Sequence, residues 1–259
     1  MCGRYATTRT ARDLDDAFAA SLADGSLVPE PDWNVAPTKQ APLVVGRVPE
    51  GADPQGRDGA PAERELLAAT WGLVPSWAKD RSIGSRLINA RSETVHEKPS
   101  FRRAFACRRA VVPADGYYEW YAGEAPRKQP FFITAPEVDG TRSVLGLAGL
   151  YEFWRADPDA PWLVTFTILT TSAEGADGRL HDRAPLLVGP EAMDEWLAPA
   201  ERPAGELLDL LVPATPGRLE AWPVSTAVNN VRNNGPELVR PLPPEGDDAT
   251  LDAPMLPLE

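Results

Sequence analysis

Cysteine and histidine are scarce in this chain, with two of each among 259 residues. Cys2 and Cys107 are too few for a disulfide framework or a four-ligand zinc site. No metal or cofactor is expected. No stretch reaches the roughly 18 apolar residues of a transmembrane helix, so no membrane partner is expected. The N-terminus lacks the basic-then-apolar pattern of a secretory leader, which makes a reducing cytoplasm the expected compartment. Internal repeats and clear linkers are also missing. A single domain over 1–242 is expected, with a loop insertion at about 49–63 rich in Gly, Pro, Asp and Ala. An acidic, Pro-rich tail over 243–259 carries too little apolar content to fold on its own.

Positive charge is also in deficit, with a net charge of −12. That balance excludes a generally basic, nucleic-acid-coating protein. The deficit is uneven, however. Residues 81–128 hold ten Lys/Arg against five Asp/Glu, so this segment is +5 while the remainder carries −17. An acidic body with one basic stretch suits either a localised anion site or a solvated, charge-mixed surface.

What is present begins at Met1-Cys2-Gly3-Arg4-Tyr5. A small second residue permits removal of Met1, which would leave Cys2 as the mature terminus. A terminal cysteine is a 1,2-aminothiol, pairing an amine of pKa about 7.7–8.0 with a thiol of about 8.5. The amine can condense with an aldehyde to an imine, and the thiol can close that imine to a thiazolidine. An internal cysteine has its nitrogen locked in an amide and cannot do this. Gly3 lets the backbone bend near a substrate, and Arg4 sets a fixed cation two residues away. An incidental buried cysteine would look the same in these five residues.

Along the chain, Thr10 to Leu22 reads as an amphipathic helix capped by Thr10, with Leu14, Phe18 and Leu22 on one face. Ala41–Val48 and Glu65–Leu73 read as strands, and Ser100–Cys107 as a short helix capped by Ser100. Arg109–Tyr121, Gln129–Ala135, Val144–Trp154 and Trp162–Thr170 are β-rich runs separated by turns. Helices over Pro190–Leu197 and Gly205–Leu211 precede a last strand over Leu219–Ser225. Strands following strands point to an α+β domain built on a mostly antiparallel sheet.

Polar groups inside apolar, strand-like sequence are the candidate site residues. Glu119 lies among aromatics in Tyr117-Tyr118-Glu119-Trp120-Tyr121. Alternation puts it on the face of Tyr117 and Tyr121. It is either outward and solvated, or held in a semi-apolar pocket where its raised pKa makes it a proton donor near neutrality. His181 stands beside Asp182 and Arg183, which can tune an imidazole used as acid or base; a structural turn histidine is the other reading. His96 lies in a polar stretch and reads as exposed and idle. Asn89 and Arg91, two apart on an extended segment, can fork a phosphate or sugar. Trp77 with Pro75 supplies a rigid apolar projection able to stack on bases, although most tryptophans are core.

Seven segments in order resemble the SRAP family, the SOS-response-associated peptidases or abasic-site processing proteins. They are Met1-Cys2-Gly3-Arg4-Tyr5, Asn34-Val35-Ala36-Pro37, Trp71-Gly72-Leu73-Val74-Pro75-Ser76-Trp77, Asn89-Ala90-Arg91-Ser92-Glu93-Thr94, Asp115-Gly116-Tyr117-Tyr118-Glu119-Trp120, Leu180-His181-Asp182-Arg183-Ala184-Pro185 and Pro223-Val224-Ser225. The resemblance covers Cys2 to Leu242 and implies an SRAP-type domain with a barrel-like β core and a few flanking helices. It implies binding of single-stranded DNA at abasic sites and a thiazolidine crosslink through Cys2, with the DNA context (internal strand, junction or fork) left open. By that resemblance Asn89 places the amine and sugar, Glu119 assists proton transfer, and His181 shuttles protons on the sugar oxygen. Arg4 and Arg91 would clamp phosphates, while Pro37, Pro75 and Trp77 would bend the strand. A monomer associated with the nucleoid when bound to damaged DNA is expected. The family often has a second aromatic after Trp77, where this chain has Ala78-Lys79.

Three other readings fit parts of the same sequence. Amidohydrolases with an N-terminal nucleophile also begin Met-Cys-Gly and use the thiol to attack. A thiol peptidase could use Cys2, Glu119 and His181, self-removal of Met1 included. A non-catalytic single-strand-binding module would rely on the basic segment and Trp77.

Overall fold

A computed structural model describes residues 2–53, 62–121, 128–173, 182–214 and 218–243. His181, the 243–259 tail beyond Pro243, and much of the 49–63 insertion lie outside the described residues.

The first half runs β1 (Tyr5–Thr7), α1 (Ala11–Phe18), β2 (Ser21–Leu22), β3 (Asp32–Val35), β4 (Gln40–Arg47), β5 (Glu63–Trp71), β6 (Asn89–Arg91), α2 (Arg102–Cys107), β7 (Arg109–Ala114) and β8 (Gly116–Tyr121). The second half runs β9 (Gln129–Thr134), β10 (Glu137–Val138), β11 (Thr141–Arg142), β12 (Leu145–Trp154), β13 (Leu163–Ser172), β14 (Arg183–Val188), α3 (Met193–Leu197), α4 (Ala204–Asp209), β15 (Leu211–Pro213) and β16 (Glu220–Pro223).

Two sheets carry the fold. In the larger, β12, β7, β4, β5 and β13 pair in turn, and β13 pairs back onto β12. That closure makes the expected barrel-like core and removes free edges from its most buried strands. The smaller sheet has the order β16-β9-β8-β1-β3 and is antiparallel throughout. Among the described residues, parallel pairing is confined to β2 on β5, β5 on β13 and β6 on β13. Between the sheets lie Cys2, Tyr5, Val35, Trp71, Tyr117, Phe166 and Ile168. On the larger sheet's other face, α1, α2 and α3 pack Leu14, Phe18, Phe105 and Trp196 against Val44, Leu66, Val111 and Leu150.

Besides shifts of one or two residues at several element ends, three departures from the sequence reading have a local cause. α1 stops at Phe18 instead of reaching Leu22, because Ala19 turns left-handed (φ 49°) and Arg64 Nη1 donates to Phe18 O at 2.7 Å. Its start is as expected, with a capping box between Thr10 and Asp13. Ser100 does not cap α2: Lys98 O accepts the N–H groups of Phe101 and Arg102, each at 2.9 Å, and the helix opens without a side-chain cap. The 109–121 run is two strands in different sheets. Asp115 breaks it, taking Thr8 N at 2.7 Å, Thr8 Oγ1 at 2.8 Å and Arg9 Nε at 2.8 Å on its carboxylate. Gly116 follows because a Cβ there would sit 2.5 Å from both Ile133 O and the Phe132 ring. This break hands the chain to the smaller sheet and delivers Glu119 to it.

Arg109 is buried at 2% exposure and spends its guanidinium on backbone carbonyls. It donates to Phe105 O (2.9 Å), Ala106 O (2.5 Å), Trp196 O (2.7 Å), Ala200 O (3.0 Å) and Ala198 O, tying the C-terminal ends of α2 and α3 together. Arg109→Met leaves the buried carbonyls of Phe105 and Trp196 dry, at about 1–3 kcal/mol each. A stability loss of roughly 2–6 kcal/mol in urea unfolding is therefore expected. An unchanged midpoint would show that water replaces the guanidinium.

Candidate functional site

The site forms where the N-terminal strand passes between the two sheets. β1 pairs with β8 with Tyr5 opposite Tyr117, and Tyr118 N donates to Arg4 O at 2.9 Å. Continued toward the N-terminus, that register sets residues 2 and 3 alongside Glu119 and Trp120. From the other sheet, β6 runs parallel to β13 with Asn89 opposite Ile168. Asn89 Nδ2 donates to Cys2 O at 2.8 Å. Asn89 Oδ1 is buried and has no hydrogen-bond partner among the described residues. Three sequence-predicted residues, Cys2, Asn89 and Glu119, thus converge from three separate strands or strand extensions.

Electrostatics separates the two acidic groups. Cys2 is fully buried, and burial first, then the Glu119 carboxylate, pushes its thiol well above the ordinary thiol range. Glu119 is also buried, and its carboxyl is pushed up to about 7, chiefly by burial with a further push from Asp182. The charged amine of Met1 pulls both groups downward. At neutral pH this gives a protonated thiol beside a carboxyl that is both a usable acid and a usable base.

Asp182, the residue after His181, therefore acts on the Glu119 carboxyl. Arg91 is exposed on β6, paired opposite Thr170. Trp77 is 58% exposed at the tip of a turn in which Ala78 N donates to Pro75 O at 2.8 Å. Pro75 itself is buried, contrary to its expected place on the apolar DNA-facing surface. Pro37 is half-buried beside Thr38, whose φ is 74°. His96 is exposed and lies 3.6 Å from Glu97.

Arg4 is half-buried and more committed than a free phosphate clamp would be. Its Nη1 donates to Asn34 Oδ1 at 2.6 Å and Val228 O at 2.8 Å, and its Nη2 makes one long contact of 3.4 Å to Asn229 O. Asn34, fully buried, sends its Nδ2 to the carbonyls of Val228 (3.2 Å), Asn230 (3.1 Å) and Asn233 (3.0 Å). The 228–233 loop is thereby fixed to the N-terminal strand. Sequence reasoning quoted Asn34 without giving it a role.

It also gave Arg183 only a tuning role beside His181. Arg183 forms a two-pronged pair with Glu93, at 2.8 Å and 3.0 Å, and donates to Thr170 O at 2.5 Å. Glu93 is held down to about 2, with the Arg183 hydrogen bond opposing its burial. The pair braces the segment after β6. Of the ten cations in 81–128, Arg108 and Arg109 are structural, Arg108 pairing with buried Glu152 at 2.8 Å. Arg81, Arg86, Arg91, Lys98, Arg102, Arg103 and Lys128 stay exposed. Among the described residues no group of three or more His, Cys, Asp or Glu is placed to hold a metal, and no helix is long and apolar enough to cross a membrane.

The candidate site is thus a two-sheet domain's meeting point of residue 2, a buried carboxyl and an asparagine. The chain belongs to the SRAP family, whose model, described as SOS response associated peptidase, matches residues 1–231. It is 35% identical over 241 residues to the abasic site processing protein YoqW of Bacillus subtilis, covering 92% of this chain and 99% of that protein. It is 31% identical to the abasic site processing protein HMCES of Xenopus tropicalis, covering 92% of this chain and 77% of that protein. A solved Bacteroides thetaiotaomicron protein shares the fold with a TM-score of 0.75 at 22% identity, covering 93% of this chain and all of that one. A Bordetella bronchiseptica protein gives 0.67 at 26% identity, covering 86% of this chain and all of that one.

Proposed function

We propose that this protein binds abasic sites in single-stranded DNA and, once Met1 is removed, links to them through a thiazolidine at Cys2. The observation that carries the reading is the Asn89 hydrogen bond to Cys2 O beside a Glu119 carboxyl poised near 7. An opened abasic sugar presents an aldehyde at C1′. The Cys2 amine attacks it, and Glu119 donates a proton as water leaves and the imine forms. The thiol then adds to the imine carbon: a C–S bond forms, the thiol proton passes to nitrogen, and one water is lost overall. Asn89 Oδ1, buried without a partner, is available to the amine or to a sugar hydroxyl. His181 completes the set as a proton shuttle on the sugar oxygen. Arg91 and the Nη2 edge of Arg4 contact phosphates, and Trp77 with Pro37 offers the apolar surface that turns the strand.

We infer the order of events from the direction of the Cys2 shift: burial keeps the thiol protonated, so the amine is the first nucleophile. A thiol raised far above neutrality is a poor first nucleophile. That weighs against the amidohydrolase and peptidase readings, which need the thiol to attack first. An imine left open would labilise the 3′ phosphate by β-elimination, and ring closure removes that electron sink. The product is a shield over an unbroken strand. The test is protection: an abasic strand incubated with the Met1-free protein resists scission by hot alkali, whereas the untreated strand breaks. Equal breakage with and without protein would overturn the shielding role.

A further inference from the structure

Asn234-Gly235 is the one Asn-Gly step in the chain. Asparagine amides are chemically labile, and a following glycine leaves the next backbone nitrogen without a Cβ to screen it. The fold uses this step as a latch. Trp33 N donates to Asn234 Oδ1 at 2.8 Å, and Asn234 Nδ2 donates to Pro31 O at 3.2 Å, which staples the 228–235 loop to the start of the β3 strand. Beyond it, Gly235 O accepts Leu238 N at 3.1 Å, within a 3₁₀ turn over Pro236–Val239 whose Leu238 is fully buried. The chain is thus fixed on both sides of a residue that is itself exposed to water. Two further features favour attack of Gly235 N on the Asn234 amide. Gly235 N donates to no group among the described residues, so no hydrogen bond has to break. The Trp33 N–H already points at Oδ1, the atom that takes negative charge when the carbonyl is attacked. The other asparagines differ: Asn34 is fully buried, and Asn89, Asn229, Asn230 and Asn233 each precede a residue that carries a Cβ.

We propose that Asn234-Gly235 is a self-modification site whose conversion unlatches the loop that holds Arg4. Gly235 N gives its proton to hydroxide and bonds to Asn234 Cγ, the Cγ–Nδ2 bond breaks, and ammonia leaves. Water then opens the five-membered imide at either carbonyl. The products at position 234 are aspartate and isoaspartate, the second with one methylene added to the backbone. One water enters and one ammonia departs. Both products lack the Nδ2 donor, so Pro31 O faces a carboxylate. The added methylene also shifts Asn233 O, the carbonyl just before it, which Asn34 Nδ2 holds at 3.0 Å. The same loop carries Val228 O and Asn229 O, the backbone partners of Arg4. Neither Cys2 nor DNA takes part in the step.

The test incubates the full, folded chain at mildly alkaline pH and follows the peptide holding position 234 by mass. At each time point brief trypsin treatment of the folded protein reports cleavage after Arg232, an exposed residue of the latched loop. The expected result is the mass gain of an amide NH2 becoming OH at position 234 ahead of every other asparagine, split between two products. Cleavage after Arg232 rises in step with it. Gly235→Ala is the control and is expected to lose both changes over the same period. Its backbone is extended there (φ 173°), and the nearest atoms a Cβ would meet are the Glu237 carboxyl group, the far end of a flexible side chain. The unaltered chain's own time course decides the matter whether or not that variant folds. No mass gain at 234 in the folded chain, over a period in which a urea-unfolded sample converts, overturns the site. Conversion with unchanged cleavage after Arg232 overturns the unlatching.

Discussion

Cys2→Ala is expected to abolish the heat-stable adduct with an abasic strand, and Cys2→Ser to break the strand it should protect. The alanine variant keeps the amine and the Asn89 contact, which goes to the backbone carbonyl at 2.8 Å. It can therefore still form an imine, yet has nothing with which to close the ring. The serine variant places a far weaker nucleophile at the same position, so its imine persists long enough for β-elimination. On a denaturing gel the unaltered protein gives a shifted, full-length strand, and both variants give unshifted DNA with a growing cleaved fraction. A heat-stable adduct from Cys2→Ser at the unaltered yield would remove the thiol from the chemistry. Cys2 is fully buried among apolar side chains, so the serine hydroxyl costs about 1–3 kcal/mol if left unbonded, and a urea melt of each variant accompanies the gel.

Glu119→Gln is expected to lower the single-turnover crosslinking rate by about 10²–10⁴-fold, the usual worth of a positioned acid–base group. Affinity for a tetrahydrofuran abasic analogue, which cannot open, stays unchanged, because the amide keeps the shape of the carboxyl. The pH profile separates this from a merely structural effect. Crosslinking needs a free amine, whose fraction rises through about 7.7–8.0. It also needs a protonated Glu119, whose fraction falls through about 7. The product is a bell with its maximum between the two, and Glu119→Gln retains only the rising limb. Stability moves the other way. Burial raises the folded-state pKa of Glu119 above its ordinary value, so its contribution to stability is fully present in acid. That contribution is lost as pH rises through about 7. Glu119→Gln has no such loss, so the variant is at least as stable as the parent at pH values above it. An unaltered rate and an unaltered bell would exclude Glu119 from the proton transfers.

Much of this arrangement is legible in the chain, and the rest is hidden for identifiable reasons. The 1,2-aminothiol reading of Cys2 is local, so five residues raise it, although they do not separate it from an incidental buried cysteine. Strand alternation correctly groups Glu119 with Tyr117, but it does not say whether that face is solvated. Both Tyr117 and Tyr118 are buried, because β8 has core on either side. Asn89 reaches Cys2 through a parallel pairing of β6 with β13, a contact between distant segments that no local pattern encodes. The Asp115 break is similarly invisible, since its cause lies in Thr8 and Arg9 more than 100 residues earlier. Charge was the least readable feature. Arg109 stands in an apparently basic, surface-like stretch yet is buried on carbonyls, and Arg4 is half spent on Asn34 and Val228. A guanidinium's partners are set by tertiary structure, and sequence reports only its sign.

The central claim, a covalent and strand-preserving bond at Cys2, is tested most directly by one denaturing gel. Met1-free protein is mixed with an end-labelled single strand carrying one abasic site, without reductant, then heated in detergent. The expected result is a shifted band whose strand is intact, absent with undamaged DNA. No shifted band, with intact mass confirming a free Cys2 terminus, would contradict the claim and leave non-covalent binding as the function of the site.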